Sequence, residues 1–342
     1  ATDATRIDEL VETVTRNDDR YQRSLARSDL RLLGDAGAAV LVEKLVDPAY
    51  EEHWSRVREA LNMFGDAAEG PLMAALQSNS LKLRVEALYL MRNLRSSNAA
   101  ESLMAPMLSE TSTELQREVA ARSLERMTGR MPDADECKQS LYRSARQYLM
   151  DQIVISGNPD DLVKWWRWDA EQRSMEPVWL AAQTVARIRS FQRARDLIQL
   201  DGENPDYQRL YWLTRLETAK LTGGAHQPLP QAVLRSFAEN IDPQLASEIL
   251  DEALETSRIP AAVAACEVMG IHGNDSYLQS DGGTASPLAR ALTAGSTRLT
   301  AAAADAIFRI DPDQSFVGSS DYLAALVYLA GSSGSRSAII GH

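Results

Sequence analysis

One phrase of this chain occurs twice. Leu30-Arg31-Leu32-Leu33-Gly34-Asp35-Ala36 returns as Leu61-Asn62-Met63-Phe64-Gly65-Asp66-Ala67, with Gly34 and Gly65 31 residues apart. After each glycine a second apolar run begins, Val40-Leu41-Val42-Glu43-Lys44-Leu45 in the first copy and Pro71-Leu72-Met73-Ala74-Ala75-Leu76 in the second. Self-similarity at such a period marks a repeat architecture, because one helix pair cannot bury its apolar face alone and must stack on its neighbours. The end of the inner helix of the repeat falls near Gly34, Gly65, Arg95, Thr128, Gly270 and Asp311, with first spacings of 31, 30 and 33 and a last spacing of 41. The interval between Thr128 and Gly270, 142 residues, holds about four more units at roughly 35 residues each. The expected fold is all-α, a right-handed α-solenoid of about eight or nine antiparallel helix pairs.

Local signals agree with helices almost throughout. Asn158-Pro159, Asn204-Pro205, Asp242-Pro243 and Ser286-Pro287 each pair a capping side chain with a proline at the first helical position, where its missing N–H costs nothing. Thr111 with Glu114 reads as a capping box before Leu115. Ala60, Ala87, Ala120, Ala121, Ala264 and Ala303 fall on the repeated helices, where small side chains let neighbouring helices approach closely. Leu141, Ala145, Tyr148, Leu149 and Gln152 keep a helical period without the repeated phrase.

Asp47-Pro48, then Arg56-Val57-Arg58-Glu59-Ala60-Leu61, Gly65-Asp66-Ala67 and Pro71-Leu72 through Leu76 resemble the HEAT-like repeat first noticed in phycobilisome lyases. The resemblance covers residues 30–129, lapses over 130–259, and returns over 260–312. There Pro287-Leu288-Ala289-Arg290-Ala291-Leu292 precedes Ala301-Ala302-Ala303-Ala304-Asp305-Ala306-Ile307. It implies an α-solenoid fold and no catalytic residue; the lyase activity of some relatives is not implied. The expected organisation is capping helices over 1–29, HEAT-like repeats over 30–129, degenerate helical repeats over 130–259 and HEAT-like repeats over 260–330. A linker, with the start of a further domain as one reading of Ser337-Ala338-Ile339-Ile340, follows over 331–342. The N-terminal helices, with acids at Asp8, Glu9 and Asp18, read as polar enough to cap that end.

Charge and cysteine usage narrow the chemistry. Net charge is −12, and residues 226–342 carry 6 Arg, no Lys and 13 acids, against the concentrated basic face that nucleic acid requires. Cys137 and Cys266 are too few and too far apart for a disulfide framework or a metal knuckle. No apolar run reaches the roughly 18 residues of a membrane span. The chain opens Ala1-Thr2-Asp3-Ala4 without Met, as a processed or trimmed product would. A cytoplasmic setting is favoured, with export after signal removal the alternative.

Lys164-Trp165-Trp166-Arg167-Trp168 is the most unusual local segment: three tryptophans in four residues with interleaved cations. Trp and Arg are favoured in binding hot spots. Read as a helix, Trp165 and Trp168 share a face and Trp166 points about 100° away. One reading makes Trp165, Trp166, Arg167 and Trp168 a partner-binding patch with Trp166 its exposed member. The other packs all three tryptophans between layers with Trp179 and Trp212. His53, His226, His272 and His342 stand in no ligand spacing. The paired acids Asp160-Asp161 and Asp251-Glu252 fit helix first turns or solvent faces. Gly223-Gly224 and Gly282-Gly283 lack the neighbours of a phosphate loop, and Asp275, Asp281, Asp311 and Asp313 lack calcium-loop spacing. The segment from Ile271 to Gly283 lengthens the last spacing and is either a surface insertion or part of a binding face.

The expected function is therefore a non-catalytic protein–protein interaction scaffold, binding partners of basic or mixed charge on a concave surface lined by the inner helices. No cofactor or metal is expected. A regulatory or sensory arm of a larger multidomain protein is the first alternative; a chromophore lyase-like or DNA-repair enzyme is the second.

Overall fold

The computed structural model of the chain describes residues 4–155, 157, 160–224, 227–279 and 283–331. Among them are seventeen α-helices and a single two-stranded sheet. The chain divides into two compact units, residues 1–147, 153–186 and 195–202 in the first and residues 148–152, 187–194 and 203–342 in the second. The 331–342 segment read as a linker lies, after Gly331, outside the described residues.

The first unit opens with α1 (Ala4–Arg16), α2 (Arg20–Leu32), α3 (Asp35–Lys44), α4 (Trp54–Leu61), α5 (Glu69–Ala75), α6 (Leu81–Met91), α7 (Ser97–Leu108) and α8 (Glu114–Thr128). α9 (Ala134–Leu149), β1 (Leu162–Asp169), β2 (Ser174–Ala181) and α10 (Ala182–Leu200) follow, with α9 and α10 contributing residues to both units. The repeated phrase closes α2 and α4 and turns the chain at Gly34 and Gly65. Their φ values of 60° and 54° lie in the left-handed region, and open space surrounds each, so backbone freedom rather than crowding selects glycine there. Each helix then packs on the next or the next but one: α3 on α2, α4 and α5, α5 on α6 and α7, and α8 on α6 and α7. Leu30, Leu41, Val57, Leu72, Leu83, Leu103 and Leu124 are buried in this core, and Ala38, Ala60, Ala87 and Ala120 sit buried where helices approach.

A series of hydrogen bonds joins residues 28 to 32 apart in this part of the chain. Arg27 donates two bonds to Glu59, 32 residues on, at 2.7 and 2.9 Å. Arg58 grips Glu86 through two bonds of 2.7 and 2.5 Å across 28 residues. Asn93 donates to Asn62 at 2.6 Å across 31 residues, and Asn98 to Glu69 at 2.7 Å across 29. The backbone N–H of Arg95 reaches the Asp66 carboxylate at 3.1 Å, 29 residues back. The exposed members, such as Arg27 with Glu59, contribute about 0–1 kcal/mol each, whereas Glu86 and Asn98 are buried and their partners satisfy groups that burial would otherwise leave unpaired.

The second unit adds α11 (Pro205–Thr222), α12 (Gln231–Asn240), α13 (Pro243–Glu255), α14 (Ile259–His272), α15 (Pro287–Ala291), α16 (Thr297–Ile310) and α17 (Ser319–Gly331). α14 is its centre. It packs on α11, α12, α13 and α16, and buries Ala261, Ala262, Ala264, Ala265, Cys266 and Val268 all round, as a helix without a polar face must. At Gly270 a side chain would stand 3.2 Å from the Ala306 Cα, so glycine lets α16 close in. Beneath the surface of this unit lies a charged network. Arg187 and Glu217 are both buried and paired at 3.1 Å; Arg187 also donates to the Tyr148 carbonyl at 2.6 Å and to Asp151 at 2.6 Å, and Arg258 reaches Asp151 at 3.2 Å.

Asn204, Asp242 and Ser286 cap α11, α13 and α15 as expected, each followed by its proline; Asn158-Pro159 lies outside the described residues. The capping box of α8 is formed by Thr113 and Gln116, not by Thr111 and Glu114. Thr111 bonds Ser109 in the preceding turn instead. Asp160 and Asp161 open a strand rather than a helix, because β1 begins at Leu162. Tyr21, Leu25 and Leu32 of α2 are exposed.

Both cysteines are buried. Burial pushes the Cys137 thiol up to about 11, and the fully enclosed Cys266 higher still. Neither forms a thiolate near neutral pH, so neither is a nucleophile. A colorimetric thiol reagent is therefore expected to label neither cysteine in the native protein and both after denaturation; rapid native labelling of either would contradict this burial.

Candidate functional site

The tryptophan-rich segment is a strand. β1 and β2 pair antiparallel, Lys164 opposite Trp179, Trp165 opposite Val178, Trp166 opposite Pro177, Arg167 opposite Glu176 and Trp168 opposite Met175. The connecting turn is shaped by Asp169, whose carboxylate accepts the Glu171 and Gln172 N–H groups at 2.7 and 2.9 Å, and by Arg173 with φ of 53°. Because side chains alternate across a strand, Trp166 and Trp168 share a face and Trp165 lies on the other. This overturns the helical expectation that Trp165 and Trp168 stand together.

The Trp166 face docks on α3 and α5. Asp35, in the first turn of α3, accepts the Trp166 indole N–H at 3.0 Å on one oxygen and the Lys164 ammonium at 2.9 Å on the other. Gly70 of α5 completes the seat, since a Cβ there would stand 2.7 Å from Trp166 Cδ1. At the other end the Met175 N–H donates to Glu43 of α3 at 2.7 Å. Burial raises the Glu43 carboxyl above the usual carboxylate range, against the pull of that N–H and of Lys44. Trp166, expected to be the exposed member of the patch, is instead only 8 % exposed. Trp165 and Trp168 are half-buried, and Arg167 is exposed, 3.6 Å from Glu176 across the strands.

The exposed indole of the hairpin is Trp179, at 53 %. Lys164, fixed by Asp35, stands 5.7 Å from the Trp179 ring and 5.8 Å from that of Trp166. Pro177, two residues before Trp179 on the same face, is also exposed. Trp212 takes no part in this surface and packs in the second unit against Tyr211 and Phe237.

The outer edge of β2 is blunted towards its Met175 end. Ala182 N–H bonds the Asp161 carbonyl at 3.0 Å, so the ladder bonds alternate onward through Leu180, Val178 and Glu176, and the N–H positions of Met175, Pro177 and Trp179 point outward. Glu43 takes the first of these, and Pro177 has no N–H to offer. Two of the three outward N–H positions of β2 are thereby removed from pairing with a further strand. Pro177 was the one signal in the sequence against a helix at this place.

The other candidates have structural partners. His272 bonds the Tyr277 hydroxyl and, at 2.8 Å, the Ala238 carbonyl. Asp251 pairs with Arg290, and Glu252 with Arg209 at 3.1 Å. His226, His342, Asp281 and Gly282 lie outside the described residues. Among the described residues no three His, Cys, Asp or Glu side chains gather as a metal site, and no helix is long and apolar enough to cross a membrane. No protein-family model and no curated protein matches the chain.

Proposed function

We propose that this chain is a HEAT-like α-solenoid acting as a non-catalytic scaffold that binds a protein partner, and that the docked hairpin is its recognition element. The hydrogen-bond ladder at spacings of 28 to 32 residues supports the repeat reading. The observation that carries the binding reading is Trp179, a large indole held in solvent on a hairpin anchored through Trp166, with a fixed ammonium beside it. A rigid aromatic next to a cation suits an apolar side chain flanked by a carboxylate, and such anchors dominate interface energies.

The test is a capture of retained proteins from native lysate, followed by affinity measurement with the purified candidate. Trp179→Ala and Arg167→Glu are run beside the parent chain. Trp179→Ala is expected to weaken a genuine complex at least about tenfold, the loss of one aromatic hot spot. A complex indifferent to Trp179→Ala would remove the hairpin from the interface.

A further inference from the structure

β1 has a second edge, the one turned away from β2. The ladder starts from the Ala182 N–H on the Asp161 carbonyl, so Val163, Trp165 and Arg167 spend their backbone groups on Leu180, Val178 and Glu176. The N–H and C=O groups of Lys164, Trp166 and Trp168 therefore point outward. Among the described residues none of these backbone groups has a hydrogen-bond partner. Unpaired backbone groups in a folded chain are rarely sealed from water, so this edge is a row of donors and acceptors open to a further strand. On the β2 edge, by contrast, Glu43 takes the Met175 N–H and Pro177 has none. A lysine often guards such an edge, but the Lys164 ammonium is turned away and held on Asp35 at 2.9 Å.

The segment's own sequence says which strand fits. An antiparallel pairing of β1 with a second copy of itself is two-fold symmetric, so each residue faces the one equally far on the other side of the centre. Lys164-Trp165-Trp166-Arg167-Trp168 is matched to itself about Trp166. With Trp166 at the axis, Lys164 stands opposite the second copy's Trp168, and Arg167 opposite its Trp165. Centring on Lys164 or on Arg167 would set a cation against its own copy, and centring on Trp165 would leave Arg167 facing Val163. In the Trp166-centred register Lys164, Trp166 and Trp168 form the hydrogen-bonded pairs. Trp165 and Arg167 fall at the non-hydrogen-bonded pairs, where side chains approach more closely. Arg167 is exposed and only 3.6 Å from Glu176 at its nearest, so its guanidinium can lie on the facing indole. Lys164 keeps its bond to Asp35, and its part in the register is to face an indole rather than another cation.

We infer that β1 pairs antiparallel with β1 of a second copy about Trp166, joining two two-stranded hairpins into one sheet. The contact sets one patch against itself, so it closes at a dimer. Few residues meet, so association is weak and concentration-dependent. Trp179 lies on β2, an outer strand of the joined sheet, and stays open for the partner proposed above.

Sedimentation velocity of the full chain over a range of concentrations, with amide exchange followed across residues 162–169, tests this. The parent chain is expected to pass from monomer to dimer as concentration rises, the Lys164, Trp166 and Trp168 amides exchanging at least about tenfold more slowly in the dimer. Trp168→Pro removes an outward N–H and leaves every bond between β1 and β2, so it is expected to hold the chain monomeric. Trp168→Ala keeps that N–H and is expected still to dimerise. Trp165→Lys sets a cation opposite Arg167 twice over, and is expected to dimerise at least about tenfold more weakly than Trp165→Glu. Trp179→Ala is expected to leave the dimer unchanged, which separates this contact from the partner-binding reading. A parent chain monomeric at every concentration overturns the inference. So does a dimer whose Lys164, Trp166 and Trp168 amides gain no protection, a readout made on the parent chain alone, and so does a dimer that survives Trp168→Pro.

Discussion

Trp166→Ala is expected to release the hairpin from α3 and α5 at a cost of about 3–5 kcal/mol, the usual range for removing a buried tryptophan. Three losses combine. The indole leaves a cavity over Gly70, Asp35 loses the N–H bond of 3.0 Å, and Lys164 loses one of the two rings beside it. Protease cleavage and amide exchange within residues 162–181 should rise well before the helices melt, because local opening follows the free energy of the element that opens. Gly70 makes the argument quantitative. Gly70→Ala alone pushes a methyl group to 2.7 Å from the ring and should cost about 1–3 kcal/mol, reduced by up to about 1 kcal/mol of helix propensity. In the Trp166→Ala background the clash is gone, so the same substitution should become neutral or stabilising. A double-mutant cycle with no coupling would show that Trp166 does not sit over Gly70.

Arg187→Ala should unfold the second unit at far lower denaturant, losing about 3–5 kcal/mol. The substitution strands the buried Glu217 carboxylate, whose Oε2 already has no partner, and removes the donors to the Tyr148 carbonyl and to Asp151. Replacing both members, Arg187→Met with Glu217→Leu, should recover most of the loss, since a well-packed apolar pair avoids burying charge. The same network sets a pH dependence. Burial raises the Glu217 carboxyl even beside Arg187. A carboxyl raised in the folded state binds its proton more tightly there, so stability falls as pH rises from about 4.3, the ordinary glutamate value, through the raised one. At Asp151 burial acts upward but Arg187 and Arg258 outweigh it and hold the carboxyl low. Its contribution is present above about pH 3.9 and lost as pH falls below that. Urea midpoints taken against pH should therefore slope downward above about pH 4 in the parent chain. In Glu217→Gln that limb should become shallower, the remainder belonging to the likewise raised Glu43, while the acid limb is kept; an upper limb of unchanged slope would place Glu217 outside the network.

What the sequence determined by itself is local. The glycines at 34 and 65, the Asn-Pro, Asp-Pro and Ser-Pro starts and the repeated apolar phrase each act within a few residues, so helix existence and spacing could be read before any packing was known. The tertiary structure decided the hairpin. Lys164-Trp165-Trp166-Arg167-Trp168 has no legible period, because Val163 and Trp165 on one face and Trp166 and Trp168 on the other all pack, and a strand apolar on both faces hides its alternation. Strand preference in such a segment is a statement about the surface it lies on. Here that surface is Asp35, Glu43 and Gly70, about 90 to 130 residues earlier in the chain. The same long-range contacts chose which indole faces water, turning Trp166 inward to a carboxylate and leaving Trp179 exposed. The charged centre around Arg187 was hidden for the same reason, since a buried ion pair is made of residues that, singly and in sequence, look like a solvated helix surface.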